Sequence, residues 1–239
     1  MKTLLCILTL VASNVFAMDI TATSWLVADG EGKIIQSESP DISRSIASIT
    51  KLMTVMVVVD AGQNPKQVIN GFTREQHIQL ALVHSSNKSA TILCDSYPGG
   101  RIQCIRDMNS KAVAIGMNNT RFIEPTGLSP MNTSTAKDLV QLVLSASYYP
   151  SIREASSTSQ VKIKIRKKWF FFNNTNPIIG KRHEFIVSKT GWTTIAGGCI
   201  VMMLNTDIGK RVVVILGSKD TRTRIPEAEF IANYYARIY

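Results

Sequence analysis

Acidic side chains are scarce in this chain: 17 Asp and Glu stand against 27 Lys and Arg, giving a formal net charge of +10. A protein so charged is drawn to anionic surfaces such as lipid head groups, wall carboxylates and acidic polymers. Histidine is scarcer still, with only His77, His84 and His183. Their spacing, to one another and to the cysteines, matches no zinc-ligand pattern, so no metal site is expected. Glycine and proline, at 14 and 8 residues, are too few for a disordered or collagen-like chain. Internal repeats, low-complexity tracts and linkers are missing, which argues for one domain.

Long hydrophobic runs are missing too. The longest near the N-terminus, Leu4 to Ala12, is about half of what a membrane-spanning helix needs. It follows Lys2 and precedes Val15-Phe16-Ala17, with small residues where a signal peptidase reads them. Residues 1–17 are therefore expected to be an export leader rather than an anchor, and 18–239 the mature, secreted or periplasmic domain with net charge +9. Export makes nucleic acid an improbable partner. Cys94, Cys104 and Cys199 then remain, and an odd number is no disulfide framework. Cys94 and Cys104 flank the turn Ser96–Gly100 and could either bridge in an oxidising compartment or stay free.

The elements follow from periodicity. Trp25–Val27 and Ile34–Ile35, joined by Asp29-Gly30-Glu31-Gly32, read as a hairpin. Residues 48–62 read as a helix apolar nearly all round, hence buried, with Ser48 at its start and Gly62 closing it. Further helices are expected over 73–86 with Thr73 as N-cap, 87–97, 101–116, and 135–149 capped by Ser134 or Thr135 and stopped by Pro150. Four strand-like runs follow, at 160–165, 183–190, 197–205 and 210–219, then a terminal helix from near Pro226. In the first of these runs Val161, Ile163 and Ile165 alternate with Lys162, Lys164 and Arg166, which predicts a strand with one wet, basic face. That face is either simply solvated or meets the cell wall. The economical assembly is α/β (α+β): one sheet built from both chain ends, with a helical cluster inserted.

Three short signatures carry chemistry. Ser48-Ile49-Thr50-Lys51 sets a hydroxyl and an amine one helical turn apart. Ser85-Ser86-Asn87 lies at a break between two helices, and Lys189-Thr190-Gly191 ends a strand. Each alone has a bland reading: a helix cap, a turn, a strand end. Their order and contexts together match the serine–lysine set of penicillin-binding proteins and serine β-lactamases.

The chain resembles the low-molecular-mass penicillin-binding proteins, the D-alanyl-D-alanine carboxypeptidase and endopeptidase family. The likeness extends to Ile46–Thr54, Tyr97–Gly100, Gly116–Leu128, Ser134–Leu139, Asn174–Gly180 and Ser188–Met202, and within the family it is greatest to the soluble periplasmic D,D-endopeptidases. It implies a β-lactamase/transpeptidase-like fold: a five-stranded antiparallel sheet with flanking helices. It also implies a monomer without cofactor, acting on peptidoglycan stem peptides and acylated by β-lactams. No second domain or amphipathic tail is expected beyond Tyr239. The Ser48–Ser85 segment is shorter than is usual in the family, as if a rim element around Ala61–Phe72 were trimmed.

By the same resemblance Ser48 is the nucleophile and Lys51 its base, with Lys189 as a second cation lowering the pKa of Lys51. Asn87 would hold Lys51 and the substrate amide, and Ser85 would pass a proton to the leaving amine. Lys189 and Thr190 would bind the substrate carboxylate, Gly191 would leave room for the substrate, and the amides of Ser48 and Trp192 would form the oxyanion hole. Gly198 would make similar room on the next strand, or serve packing. Two rivals remain: a β-lactamase, and a wall-binding protein that has lost catalysis. Glu124 lies in Ile123–Leu128 without the leucine–asparagine ending of the β-lactamase glutamate loop, and is expected to be a loop or cap residue.

Overall fold

The computed structural model of the protein describes residues 18–181 and 184–235. The leader expected over 1–17 and the histidine at 183 lie outside the described residues.

The two ends of the chain do build one sheet. The N-terminal hairpin forms β1 (Ser24–Asp29) and β2 (Ile34–Glu38). A short β3 (Arg44–Ser45) leads through a single 3-10 turn, Ala47–Ile49, into α1 (Thr50–Asp60). A small pair, β4 (Val68–Ile69) and β5 (Phe72–Thr73), occupies the shortened segment. Then come α2 (Arg74–Leu82), α3 (Asn87–Asp95) and α4 (Gly100–Ala114). A loop and β6 (Thr133–Ser134), paired with β3, precede α5 (Ala136–Ala146) and α6 (Pro150–Ser157). The remainder is β7 (Gln160–Ile165), β8 (Lys168–Asn173), β9 (Glu184–Thr193), β10 (Gly197–Thr206), β11 (Gly209–Ser218) and α7 (Arg224–Tyr235). The sheet runs β2-β1-β11-β10-β9, antiparallel throughout.

The unbroken apolar runs of the central strands have a simple cause: both faces of the sheet are covered. Side chains alternate across a strand. Cys199, Val201 and Met203 of β10, with Val212, Val214 and Leu216 of β11, join the core beneath the helical cluster. Ile200, Met202 and Leu204, with Val213 and Ile215, join a second core closed by Ile225, Ala228 and Ile231 of α7. Helix α1 runs through the middle of the first core, and Leu52 to Val58 are all buried. That is why it carries no polar stripe. Thr73 caps α2 in a capping box with Gln76, and Thr135, not Ser134, caps α5 by accepting the N–H of Asp138.

Three expectations need correction. The basic run 160–165 is not part of the main sheet: β7 pairs only with β8, in a separate two-stranded ribbon whose inner residues Val161 and Ile163 dock on the core. Pro150 does not merely stop α5; it occupies the first turn of α6, where its missing N–H costs nothing. Ser48 is not the cap of α1, because no side chain caps that helix, which instead continues from the 3-10 turn. Cys94 and Cys104 are joined in a disulfide, with Cα atoms 5.4 Å apart, tying α3 to α4.

Candidate active site

Ser48 lies in the 3-10 turn ahead of α1, half-buried. Its Oγ accepts a hydrogen bond from Lys51 Nζ at 2.6 Å. The same ammonium donates to the carbonyl of Thr126 at 2.6 Å. Lys51 has no exposed surface, so the chain places an amine where water cannot solvate its charge. Burial lowers its pKa from 10.5 to about 7, against a weaker upward pull from the Glu124 carboxylate. Desolvation wins, and near neutral pH a sizeable share of Lys51 is the free amine, with a lone pair for the Ser48 proton.

Lys189 comes in from β9, the edge strand of the sheet. Its Nζ donates to Ser85 Oγ at 3.0 Å and to its neighbour's carbonyl, Thr190 O, at 2.9 Å. Its pKa is pushed well down by burial first, then by Lys51 and Arg224. Repulsion between two ammonium groups is mutual, so protonating either one disfavours the charge on the other. For Lys51, however, burial and not the neighbouring cation is the leading cause.

Ser85 holds φ at +58° and Ala47, just before Ser48, at +47°. Residues with a Cβ avoid this left-handed region, and both positions border groups that could react. Asn87 opens α3, and its Oδ1 is buried without a hydrogen-bond partner. It does not bond Lys51; the Thr126 carbonyl takes that place. Thr190 Oγ1 donates to Thr175 Oγ1 at 2.6 Å. Trp192 is 49% exposed at the end of β9, beyond Gly191.

Gly191 has a different reason from the expected one. A Cβ there would lie 2.9 Å from the Ser48 amide nitrogen and 3.0 Å from Ile46 O. The space is taken by the Ser48 turn, so this glycine lets β9 pack against the backbone of residues 46–48. Gly198 likewise abuts the backbone of Asp220 and the Arg224 side chain, a packing role.

Sequence reasoning missed Arg224, Thr126 and Gly127, whereas Glu124 is the loop residue it was expected to be. Arg224 of α7, mostly buried, donates to Gly191 O at 2.7 Å and so pins β9 from behind. Glu124 receives the N–H groups of Thr126 and Gly127 at 2.7 and 2.6 Å, the Thr126 hydroxyl at 2.6 Å and Asn132 Nδ2 at 3.0 Å. It is a loop staple, and the loop it holds presents the Thr126 carbonyl to Lys51. Gly127, at φ +83°, packs so closely on the peptide ahead of Ser48 that a Cβ would collide with the Ala47 carbonyl. Replacing Gly127 with alanine should displace that peptide and slow β-lactam acylation by roughly 10²-fold, since about an ångström of misplacement has that effect. Stopped-flow acylation, with far-UV circular dichroism to confirm folding, measures this; an unchanged rate would mean the loop yields instead.

Comparison with known proteins bears on this geometry. The profile of the D-alanyl-D-alanine carboxypeptidase family of peptidases matches residues 11–70 and 65–220. The chain belongs to that family. It is similar to the D-alanyl-D-alanine endopeptidase of Pseudomonas aeruginosa, at 35% identity over 234 residues, covering 88% of this chain and 76% of the relative. The D-alanyl-D-alanine endopeptidase of Escherichia coli is 38% identical over 218 residues, covering 81% and 70%. Among solved structures, penicillin-binding protein D2 of Listeria monocytogenes in its cefotaxime-bound form superposes with a TM-score of 0.78 at 25% identity, over 91% of this chain and 98% of that one. The peptidase thus has the penicillin-binding fold, and the five-stranded antiparallel sheet expected of it is present. Its helices carry Ser48, Lys51 and Asn87 or their flanking turns, and its edge strand carries Lys189 to Trp192.

Proposed function

We propose that this protein is an exported serine D,D-peptidase that cleaves peptidoglycan cross-links through an acyl ester on Ser48. Residues 18–239 would be its catalytic domain and residues 1–17 its leader. The observation that carries the reading is the 2.6 Å hydrogen bond between Ser48 Oγ and a lysine whose pKa is about 7. The disulfide supports export, because such bonds persist in oxidising compartments. Among the described residues no helix is long and apolar enough to cross a membrane.

In this mechanism neutral Lys51 takes the Ser48 proton as Oγ attacks the carbonyl carbon of the D-alanyl residue. The oxyanion that forms is held by the amides of Ser48 and Trp192. As the intermediate collapses, the C–N bond breaks and the leaving amine receives a proton through Ser85, which is in contact with Lys189. Water then cleaves the ester, releasing the new carboxylic acid and restoring Ser48. Lys189 and Thr190 offer an amine, whose protonation a bound anion would favour, and a hydroxyl to the carboxylate beside the scissile bond. Asn87, with its unpartnered oxygen, is free to accept the substrate amide N–H. An extended stem peptide can lie along β9, the sheet's edge strand.

Cross-link cleavage is favoured over removal of terminal D-alanine because of the names borne by the similar curated relatives, both D-alanyl-D-alanine endopeptidases. Incubation with purified cross-linked muropeptide dimers should yield monomers. Loss of only terminal D-alanine from pentapeptides would make the protein a carboxypeptidase, and no product from either substrate would refute the peptidase reading.

The staple role of Glu124 bears on the β-lactamase alternative. Its carboxylate is occupied by loop donors instead of standing ready to activate water. A chromogenic cephalosporin should therefore give a stoichiometric burst and then essentially no turnover. Sustained hydrolysis after the burst would favour the β-lactamase reading.

A further inference from the structure

The ribbon β7–β8 presents a face that the catalytic mechanism does not use. In an antiparallel pair, residues directly opposite each other share a face. Lys162 stands opposite Phe171, and Lys164 opposite Trp169. Lys162 Nζ sits 4.5 Å from the Trp169 ring centre and 5.4 Å from that of Phe171, while Lys164 Nζ is 5.8 Å from Trp169. Trp169 and Phe171 are 52% and 58% exposed. On the other face Val161 and Ile163 are buried in the core, and of its apolar residues only Phe170 keeps much exposed surface, at 44%.

Two features set this face apart from an ordinary solvated strand. Residues 160–173 carry Lys162, Lys164, Arg166, Lys167 and Lys168 without a single Asp or Glu. None of the five is ion-paired among the described residues. The second feature is large aromatic rings left in water, each able to bury roughly 150–250 Å² against a partner. Folding alone asks for neither.

The ribbon also runs directly into the catalytic cleft. Just past β8, Thr175 donates its N–H to Val83 O at 3.1 Å, two residues before Ser85. The Thr175 hydroxyl accepts from Thr190 at 2.6 Å. A polymer lying on the ribbon is thus led to the site at which its peptide would be cut.

We propose that the outward face of β7–β8 is a docking surface for the polymeric substrate, an anionic peptide-bearing glycan, distinct from the cleft that holds the scissile bond. Trp169 and Phe171 stack on the apolar faces of pyranose rings, and Lys162 and Lys164 meet stem-peptide carboxylates. This rests on the peptidase reading for the identity of the polymer. Continuity with the cleft favours a glycan over a bilayer. So does the interleaving of cations and rings on one face, where a membrane-surface element separates an apolar face from a charged one.

The test compares the wild type with Trp169→Ala/Phe171→Ala and with Lys162→Glu/Lys164→Glu. Three readouts are co-sedimentation with intact purified sacculi, release of fragments from sacculi, and co-sedimentation with phosphatidylglycerol vesicles. Penicillin acylation and hydrolysis of soluble muropeptide dimers serve as controls for folding and for the site. Both variants should keep the control rates, yet lose roughly tenfold in sacculus binding and in fragment release. Added salt should weaken sacculus binding by the wild type. Unchanged sacculus binding by both variants would overturn the proposal, as would a loss confined to vesicles. If the wild type cleaves neither soluble dimers nor pentapeptides, the peptidase reading fails, whereas sacculus sedimentation still decides the docking surface.

Discussion

Replacing Ser48 with alanine will abolish covalent labelling by fluorescent penicillin and slow cross-link hydrolysis by roughly 10⁵-fold or more. Ser48 Oγ is the hydroxyl bonded to Lys51, the buried amine with a pKa of about 7, in a turn whose backbone is gripped by Gly127 and Gly191. Ser85 Oγ is also within reach of a lysine, but its partner Lys189 donates to the Thr190 carbonyl as well, and its proposed task is proton delivery. In-gel fluorescence and chromatography of muropeptide digests read both outcomes. Labelling that survives in the alanine variant would move the nucleophile, with Ser85 the first place to look.

Replacing Lys51 with methionine should cost about 10⁴-fold in acylation, the upper range for a positioned general base. Methionine is unbranched and apolar, fits the same buried channel, and removes the cost of an ammonium without water around it. A stability loss is therefore not the expected outcome, and a thermal melt separates loss of base from loss of fold. The pH profile gives an independent check. The wild-type acylation rate should rise with pH to half its plateau near 7, because only unprotonated Lys51 can take the Ser48 proton. Well below that value it should fall tenfold per pH unit. The methionine variant should lack this limb. A flat wild-type profile between pH 5 and 8 would assign the base elsewhere.

Much of the site was readable because it is local. The three-residue step from Ser48 to Lys51 is one helical turn, and the structure shows the two side chains in contact. Helix α1 was readable from its unbroken apolar sequence, and Thr73 as the N-cap of the next helix, though not the reciprocal bond from Gln76. The period-2 pattern at 160–165 announced a strand with a basic face, but not its partner. Pairing depends on which edge lies free nearby, and here β8 supplies one before the main sheet can.

The sequence by itself therefore determined most of the helices and main-sheet strands, the one-turn step from Ser48 to Lys51 and, through its three short signatures, the family; it did not announce α6 or β8. Tertiary structure alone decided what surrounds that pair. Thr126 reaches Lys51 from 75 positions away through a backbone carbonyl, a group every residue carries, so no side-chain identity could signal it. Lys189 meets Ser85 across 104 positions, and Arg224 braces Gly191 across 33. Ala47 and Ser85 adopt left-handed backbone that their own residue types disfavour, so the packing around them must impose it. The low pKa of Lys51 follows the same logic: a lysine in the sequence is a solvated cation, and only the closing of the core around it lets it shed its proton near neutral pH.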